Sequence, residues 1–184
     1  MKIAILTGTV RPNRVSPAVA EWVRSIAAER EGVEFEVVDI ADFNLPLYDE
    51  PLPAAYGQYA NEHTKTWAAK VAEYDGYIFV TGEYNHAVPA PLLNAIAFPY
   101  TEWNNKAVGF VGYGSLGGGR AVESLRLVAA EVQMADVRQA AYLSLFDDFE
   151  NFSVVAPREM QVEAVNGMLD QLLSWAGALK AVRA

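Results

Sequence analysis

The stretch Ile3-Ala4-Ile5-Leu6-Thr7-Gly8-Thr9-Val10-Arg11-Pro12-Asn13-Arg14-Val15-Ser16-Pro17 opens on four apolar residues, breaks at a glycine and ends on a serine-proline pair. So short an apolar run reads as a strand buried on both faces. Val19, Trp22, Val23 and Ile26 then recur at helical spacing, which predicts a helix over residues 17–30. Ser16 is its expected cap, with Pro17 at the first helical position. Strand, glycine-bearing loop and helix make the first half of a βαβ unit.

Outward from this stretch the same alternation runs to the end of the chain. Apolar strands are expected at Phe35 to Ile40, Tyr77 to Val80, Ala107 to Gly112 and residues 137–145. Helices are expected over residues 60–73, near Leu92 to Phe98, from Ala121 to Val132, and from about Pro157 onward. Met160, Val162, Val165, Met168, Leu169, Leu172 and Leu173 form an apolar stripe on the last helix, so its methionines are assigned to the core. There is no repeat, low-complexity tract or linker, and residues 1–184 are expected to form a single α/β domain around a five-stranded parallel sheet.

Composition excludes several classes of function. Fourteen Lys and Arg against 23 Asp and Glu give a net charge of -9, which repels nucleic acid and anionic membranes. The chain has no cysteine and only His63 and His86, so thiol chemistry and transition-metal sites lack ligands. Redox chemistry would have to come from an organic cofactor. The first apolar run is too short for a signal-peptide core, and no stretch reaches the roughly 20 apolar residues of a membrane span, so a cytoplasmic location is expected.

In a doubly wound sheet of order 2-1-3-4-5, ligands sit beyond the carboxyl ends of the strands, between strands one and three. The unusual loops of this chain follow strands one, three and four. The first holds Thr9, Arg11, Arg14 and Ser16 and leads into a helix N-terminus, whose free N–H groups attract anions. Residues 7–20 carry two arginines and no acid, the charge placement of a phosphate monoester site. The second, Gly82-Glu83-Tyr84-Asn85-His86, sets an aromatic ring, an amide and permissive backbone where a planar ring system would lie. The third, Gly112 to Arg120, has five glycines that would let backbone approach a ligand closely.

That third loop matches G-x-G-x-x-G at Gly112, Gly114 and Gly117, but the dinucleotide fingerprint belongs after the first strand, with an acid closing the second. It also approaches the hydrolase elbow around Ser115, yet Tyr113 stands where the first glycine belongs and no histidine follows. Neither a dinucleotide-binding dehydrogenase nor a serine hydrolase fits.

Taken together, the three loops resemble those of the NADPH-dependent FMN reductase family, a flavodoxin-like group that includes flavin, quinone, azo-dye and chromate reductases. Thr9 and Arg11 are similar to its G-S-x-R phosphate motif. Leu47-Tyr48-Asp49 resembles its L-P-L-Y-D segment, and Glu83-Tyr84-Asn85-His86 its P-E-Y-N-H stretch. Gly117-Gly118, Arg120-Ala121 and Leu125-Arg126 resemble its G-G-x-R-A-x-x-x-L-R run. The likeness covers residues 1–145. Gly82, Ala87, Leu93 and Ala97 depart from the family pattern, in the ring loop and the helix behind it.

The resemblance implies a flavodoxin-like fold that binds FMN and takes hydride from NADPH or NADH. Thr9, Arg11, Arg14, Ser16, Pro17 and Ala18 would hold the phosphate; Gly82, Glu83, Tyr84, Asn85, Gly114, Ser115, Gly117 and Gly118 would flank the ring. Because the cofactor carries the chemistry, no side chain is nominated as catalytic. The acceptor would be free FMN, a quinone or another small molecule, with Tyr48, Trp103 and Tyr113 as candidate pocket walls. A homodimer or homotetramer is implied, with Ala95 to Tyr100 and Trp103 as a candidate contact or, equally, as part of the core. The competing class is a flavodoxin-like electron carrier, which the net charge also suits.

Overall fold

The computed structural model describes residues 1–183. Five strands, β1 (Lys2–Thr7), β2 (Glu34–Asp39), β3 (Gly76–Thr81), β4 (Ala107–Gly114) and β5 (Ala135–Ser144), form one parallel sheet of order β2-β1-β3-β4-β5. Between them run α1 (Ser16–Ala27), α2 (Glu62–Ala72), α3 (Ala90–Ala97) and α4 (Gly119–Glu131). A two-stranded antiparallel hairpin, β6 (Phe149–Glu150) and β7 (Val154–Val155), precedes the long α5 (Glu159–Lys180). The expected strand order and the five β-α units are present; the hairpin has no counterpart in the sequence reading.

Period-two alternation divides the core between the two faces of the sheet. Ala4, Leu6, Tyr77, Phe79, Val108 and Phe110 share one cluster with Trp67, Val71, Leu92, Ile96 and Leu125 of α2, α3 and α4. Ile3, Ile5, Ile78, Val80 and Val111 share the other with Val19 and Val23 of α1 and Val165, Met168, Leu169 and Leu172 of α5. Gly109 makes room for the last helix, since a Cβ there would lie 2.7 Å from Met168 Sδ. Met168 is thus core, as expected, whereas Met160, in the first turn of α5, is exposed.

Buried side chains finish the helix ends that the backbone leaves unpaired. Trp67 Nε1 donates to Ala95 O at 2.8 Å and Trp103 Nε1 to Ile96 O at 3.1 Å, closing α3. Ala95, Ile96, Phe98 and Trp103 therefore lie in the core. Of the two readings open for Ala95 to Tyr100 with Trp103, contact or core, these four residues take the core, and Trp103 is not a pocket wall. Sequence left both open because α3 is apolar around much of its circumference, and its neighbours on β3 and α2 could not be read from spacing.

Lys106 performs the same service for α2, donating to Val71 O at 2.9 Å while only 5% exposed. Burial, reinforced by Arg183, pulls its ammonium down to about 8. An unfolded lysine holds its proton up to about pH 10.4. Between about pH 8 and about pH 10 the unfolded chain therefore binds more protons, and stability rises with pH. Lys106→Met should remove a rise of about 2 kcal/mol across that window, read as the pH dependence of the urea midpoint.

The free edge of β5 is closed by side chains. Arg126 donates to Val137 O at 2.8 Å and Arg138 O at 3.0 Å, Gln171 accepts from Gln139 N–H at 3.1 Å, and Gln161 donates to Tyr142 O at 2.7 Å. These bonds block edge-to-edge pairing. They also account for the Leu125-Arg126 motif: its arginine faces the sheet edge.

Candidate functional site

Three loops leave the carboxyl ends of β1, β3 and β4 side by side, because these strands are neighbours in register from Thr7 opposite Val80 to Thr81 opposite Gly112. The chain turns out of β1 at Gly8, whose N–H donates to Val80 O at 2.8 Å; a Cβ at this position would lie 2.8 Å from that same oxygen. Glycine is required by this approach of two backbones.

Within the first loop, Thr9 and Ser16 are fully buried and their hydroxyls are 2.6 Å apart. Tyr113 Oη lies 3.3 Å from Thr9 Oγ1, and burial raises its hydroxyl above the usual phenol range. Ser16 does not cap α1: it is the first helical residue, Val15 occupies the capping position, and the serine side chain is spent on Thr9. Pro17 lies within the first turn as expected, and Ala18 is exposed beside it. The N–H groups of Ser16 and Ala18, with no helical turn before them, are the anion-attracting end of α1.

The two arginines part company. Arg14 pairs with Asp39 at the end of β2, and both side chains are only 20% exposed. Asp39 also accepts from Thr7 Oγ1 at 2.9 Å and Ala41 N–H at 3.0 Å. The reading of an acid-free loop holds along the chain but not in space, because the β1–β2 register sets Thr7 opposite Asp39. Arg14 Nε is buried without a partner, so this guanidinium retains an unspent donor. Arg11 is exposed and forms no ion pair among the described residues. The donor set of free Arg11, the orphaned Arg14 Nε and the start of α1 suits a phosphate.

The second loop begins at buried Gly82, where a Cβ would lie 3.2 Å from the Tyr113 ring. Tyr84 and Ala87 exchange backbone hydrogen bonds of 3.1 and 3.0 Å around Asn85 and His86, at φ 53° and 65°. Both central residues in the left-handed region make a tight type I′-like turn, and asparagine tolerates it. The turn presents Tyr84, Asn85 and His86 to the outside.

Glu83 points the other way and joins the second loop to the third. Its side chain, 7% exposed, pairs with Arg120 and accepts from the Arg120 N–H at 3.1 Å in the first turn of α4. A carboxylate there complements the helix dipole. Sequence spacing brought these two motifs near in order but gave no sign that they are bolted together.

The third loop is shorter than expected, since Gly112, Tyr113 and Gly114 belong to β4 and the turn starts at Ser115. Its glycines serve the turn's own packing: a Cβ on Gly112 would meet Gly117 O at 2.6 Å, and one on Gly118 (φ 74°) would meet Tyr113 N at 2.7 Å. Gly117 is buried against Tyr142. Ser115 is left exposed at the rim, and Gly114 partly so.

Beside the first loop, the proline-rich segment after β2, expected to border the site, lines a cavity through Leu47. This cavity, of about 500 Å³, opens between Val10, Ile40, Leu45, Pro91 and Asn94. Asn94 shapes its wall, accepting from Tyr48 N–H at 3.0 Å and donating to Pro46 O at 2.6 Å, which ties the proline-rich loop to α3. The cluster of prolines between residues 46 and 53 was its only signal.

Comparison with known proteins identifies the family and the fold. The model of the NADPH-dependent FMN reductase family matches residues 1–148. An NAD(P)H-dependent FMN reductase of a Nectria species is 44% identical over 137 residues, 69% of this chain and 68% of its own length. A quinone reductase of Pseudomonas putida is 32% identical over 158 residues, 79% of this chain and 81% of its own length. Among solved structures, the flavoenzyme NAD(P)H:(acceptor) oxidoreductase of Paracoccus denitrificans shares the fold with a TM-score of 0.75 at 22% identity, over 96% of this chain and 97% of that one. The chain belongs to the NADPH-dependent FMN reductase family.

Proposed function

We infer that this protein is an FMN-dependent NAD(P)H oxidoreductase, and the observation that carries the reading is a cationic, donor-rich loop at the β1–β3 switch point, in a chain of this family. Bound FMN supplies hydride acceptance from NADPH or NADH and electron delivery to a flavin, quinone or similar small acceptor. Arg11, Arg14 Nε and the N–H groups at Ser16 and Ala18 bind its phosphate, with the Thr9–Ser16 hydroxyl pair beneath and Pro17 fixing the helix start. Gly82, Tyr84, Asn85, Gly114, Ser115, Gly117 and Gly118 border its ring, and Glu83 holds their two loops together. No helix among the described residues is long and apolar enough to cross a membrane, and we place the enzyme in the cytoplasm.

A homodimer or homotetramer belongs to the same reading. With Ala95, Ile96 and Phe98 in the core, the contact falls to the exposed apolar side chains nearby, Leu47 at 85%, Tyr56 at 65% and Leu93 at 37% exposure. The purified protein is expected to be yellow with one FMN per chain, and NADPH or NADH should bleach it and be consumed continuously in air. A yellow protein that oxidises neither nucleotide with turnover would be an electron carrier instead.

A further inference from the structure

The hairpin that precedes α5 lies beyond residues 1–148, which the family model matches. At its tip Asn151 and Phe152 have φ 50° and 57°. A bulky residue in the left-handed region is strained, and glycine would sit there freely. Phe152 is nevertheless 61% exposed, and its ring meets that of Phe146, 66% exposed, edge-on with centroids 5.8 Å apart at 90°. Phe152 on strained backbone and Phe146 beside it both hold large rings in water and gain little from burial, so folding does not explain them.

The base of the hairpin is rigid and joined to the site. Asp148, with its side chain fully buried, accepts from Ser144 N–H at 2.9 Å, Arg158 N–H at 3.1 Å and Arg158 Nε at 2.9 Å. Leu145 N–H donates to Gly114 O at 3.0 Å, so the chain leaves β5 alongside the end of β4. Phe149 packs on Tyr113, whose hydroxyl reaches Thr9 in the first loop. Phe146 directly follows the Leu145 tie to the strand end bordering the proposed ring site. Exposed Asp147, Glu150 and Glu159 flank the aromatic pair along the chain against one cation, Arg158, which pairs with Asp147 and the buried Asp148.

We propose that Phe146 and Phe152 form one wall of the electron-acceptor subsite and select an uncharged planar quinone over anionic acceptors. Rigid exposed rings offer a face and an edge to a planar molecule at little entropic cost. The acidic rim disfavours a phosphate-bearing acceptor such as free FMN. The inference rests on the oxidoreductase reading above and names its second substrate.

Steady-state kinetics of the FMN-loaded enzyme with 1,4-benzoquinone, free FMN and ferricyanide test this. In Phe152→Gly the KM for benzoquinone is expected to rise about tenfold relative to that for ferricyanide. Phe152→Tyr should keep the wild-type ratio, and Phe146→Ala should repeat the rise. Because glycine relieves the left-handed strain, the melting temperature of Phe152→Gly should not fall, whereas a merely structural Phe152 would lower it. An unchanged benzoquinone-to-ferricyanide ratio in both truncations, or an equal rise in the KM for free FMN, overturns the proposal. Wild-type protein that takes up no FMN removes the oxidoreductase reading itself, which is a separate failure.

Discussion

Glu83→Ala is expected to lower the melting temperature by about 4–8 °C and to weaken FMN binding together with stability. The carboxylate is nearly buried, pairs with Arg120 and accepts from the first turn of α4. Its removal leaves an arginine without its counter-ion and a helix N-terminus without an acceptor. Loss of one partner of a fully buried pair costs about 3–5 kcal/mol. Arg120 is 41% exposed and can recover water, so about 2 kcal/mol is the expected loss. The same carboxylate is the bond between the loops after β3 and β4, so FMN affinity should fall even though Glu83 faces away from the exposed turn. Glu83→Gln keeps an acceptor for the α4 N–H but not the charge, and should lie between. Thermal melts with and without FMN separate the two effects, because a bound ligand adds stability only in proportion to its affinity.

Arg11→Ala is expected to leave the fold unchanged and to reduce FMN affinity by roughly 10- to 100-fold. Arg11 is exposed and pairs with no acid, so truncation disturbs no internal contact. What it removes is a charge-assisted hydrogen bond to a phosphate, worth about 1.5–3 kcal/mol. Arg14→Ala should behave differently. Its guanidinium is held by Asp39, so the substitution loosens the β2 end as well as the site, and stability and affinity should fall together.

How much of this was legible follows from how far each feature depends on partners distant in sequence. Tyr77 to Val80 announced a buried strand because a parallel strand covered on both sides is apolar throughout. The 2-1-3-4-5 order was that of a five-stranded doubly wound sheet, taken from the alternating β-α pattern and the family resemblance and not from any single residue. The loop after β1 stood out as a candidate phosphate site because arginines, hydroxyls and a helix start coincide within a few residues. Tyr113 and Gly114 were read as loop because glycines suggest turns, yet pairing with Leu143 and Ser144 of β5 holds them as strand. Asp39 was invisible as a site residue, since only the β1–β2 register brings it to Arg14. The Glu83–Arg120 bond spans loops 37 residues apart and has no local signature. The hairpin at Phe149 to Val155 gave none either, its strands being two residues long and its turn built on Asn151 and Phe152 where glycine would be expected.

The central claim is that the loop after β1 grips the phosphate of the flavin. Calorimetric titration of the wild type and Arg11→Ala with FMN, and in parallel with riboflavin, which has the same ring and no phosphate, tests it directly. FMN should bind the wild type at least tenfold more tightly than riboflavin, and most of that advantage should vanish in Arg11→Ala while riboflavin affinity stays the same. Equal affinity of the wild type for the two flavins would contradict the account.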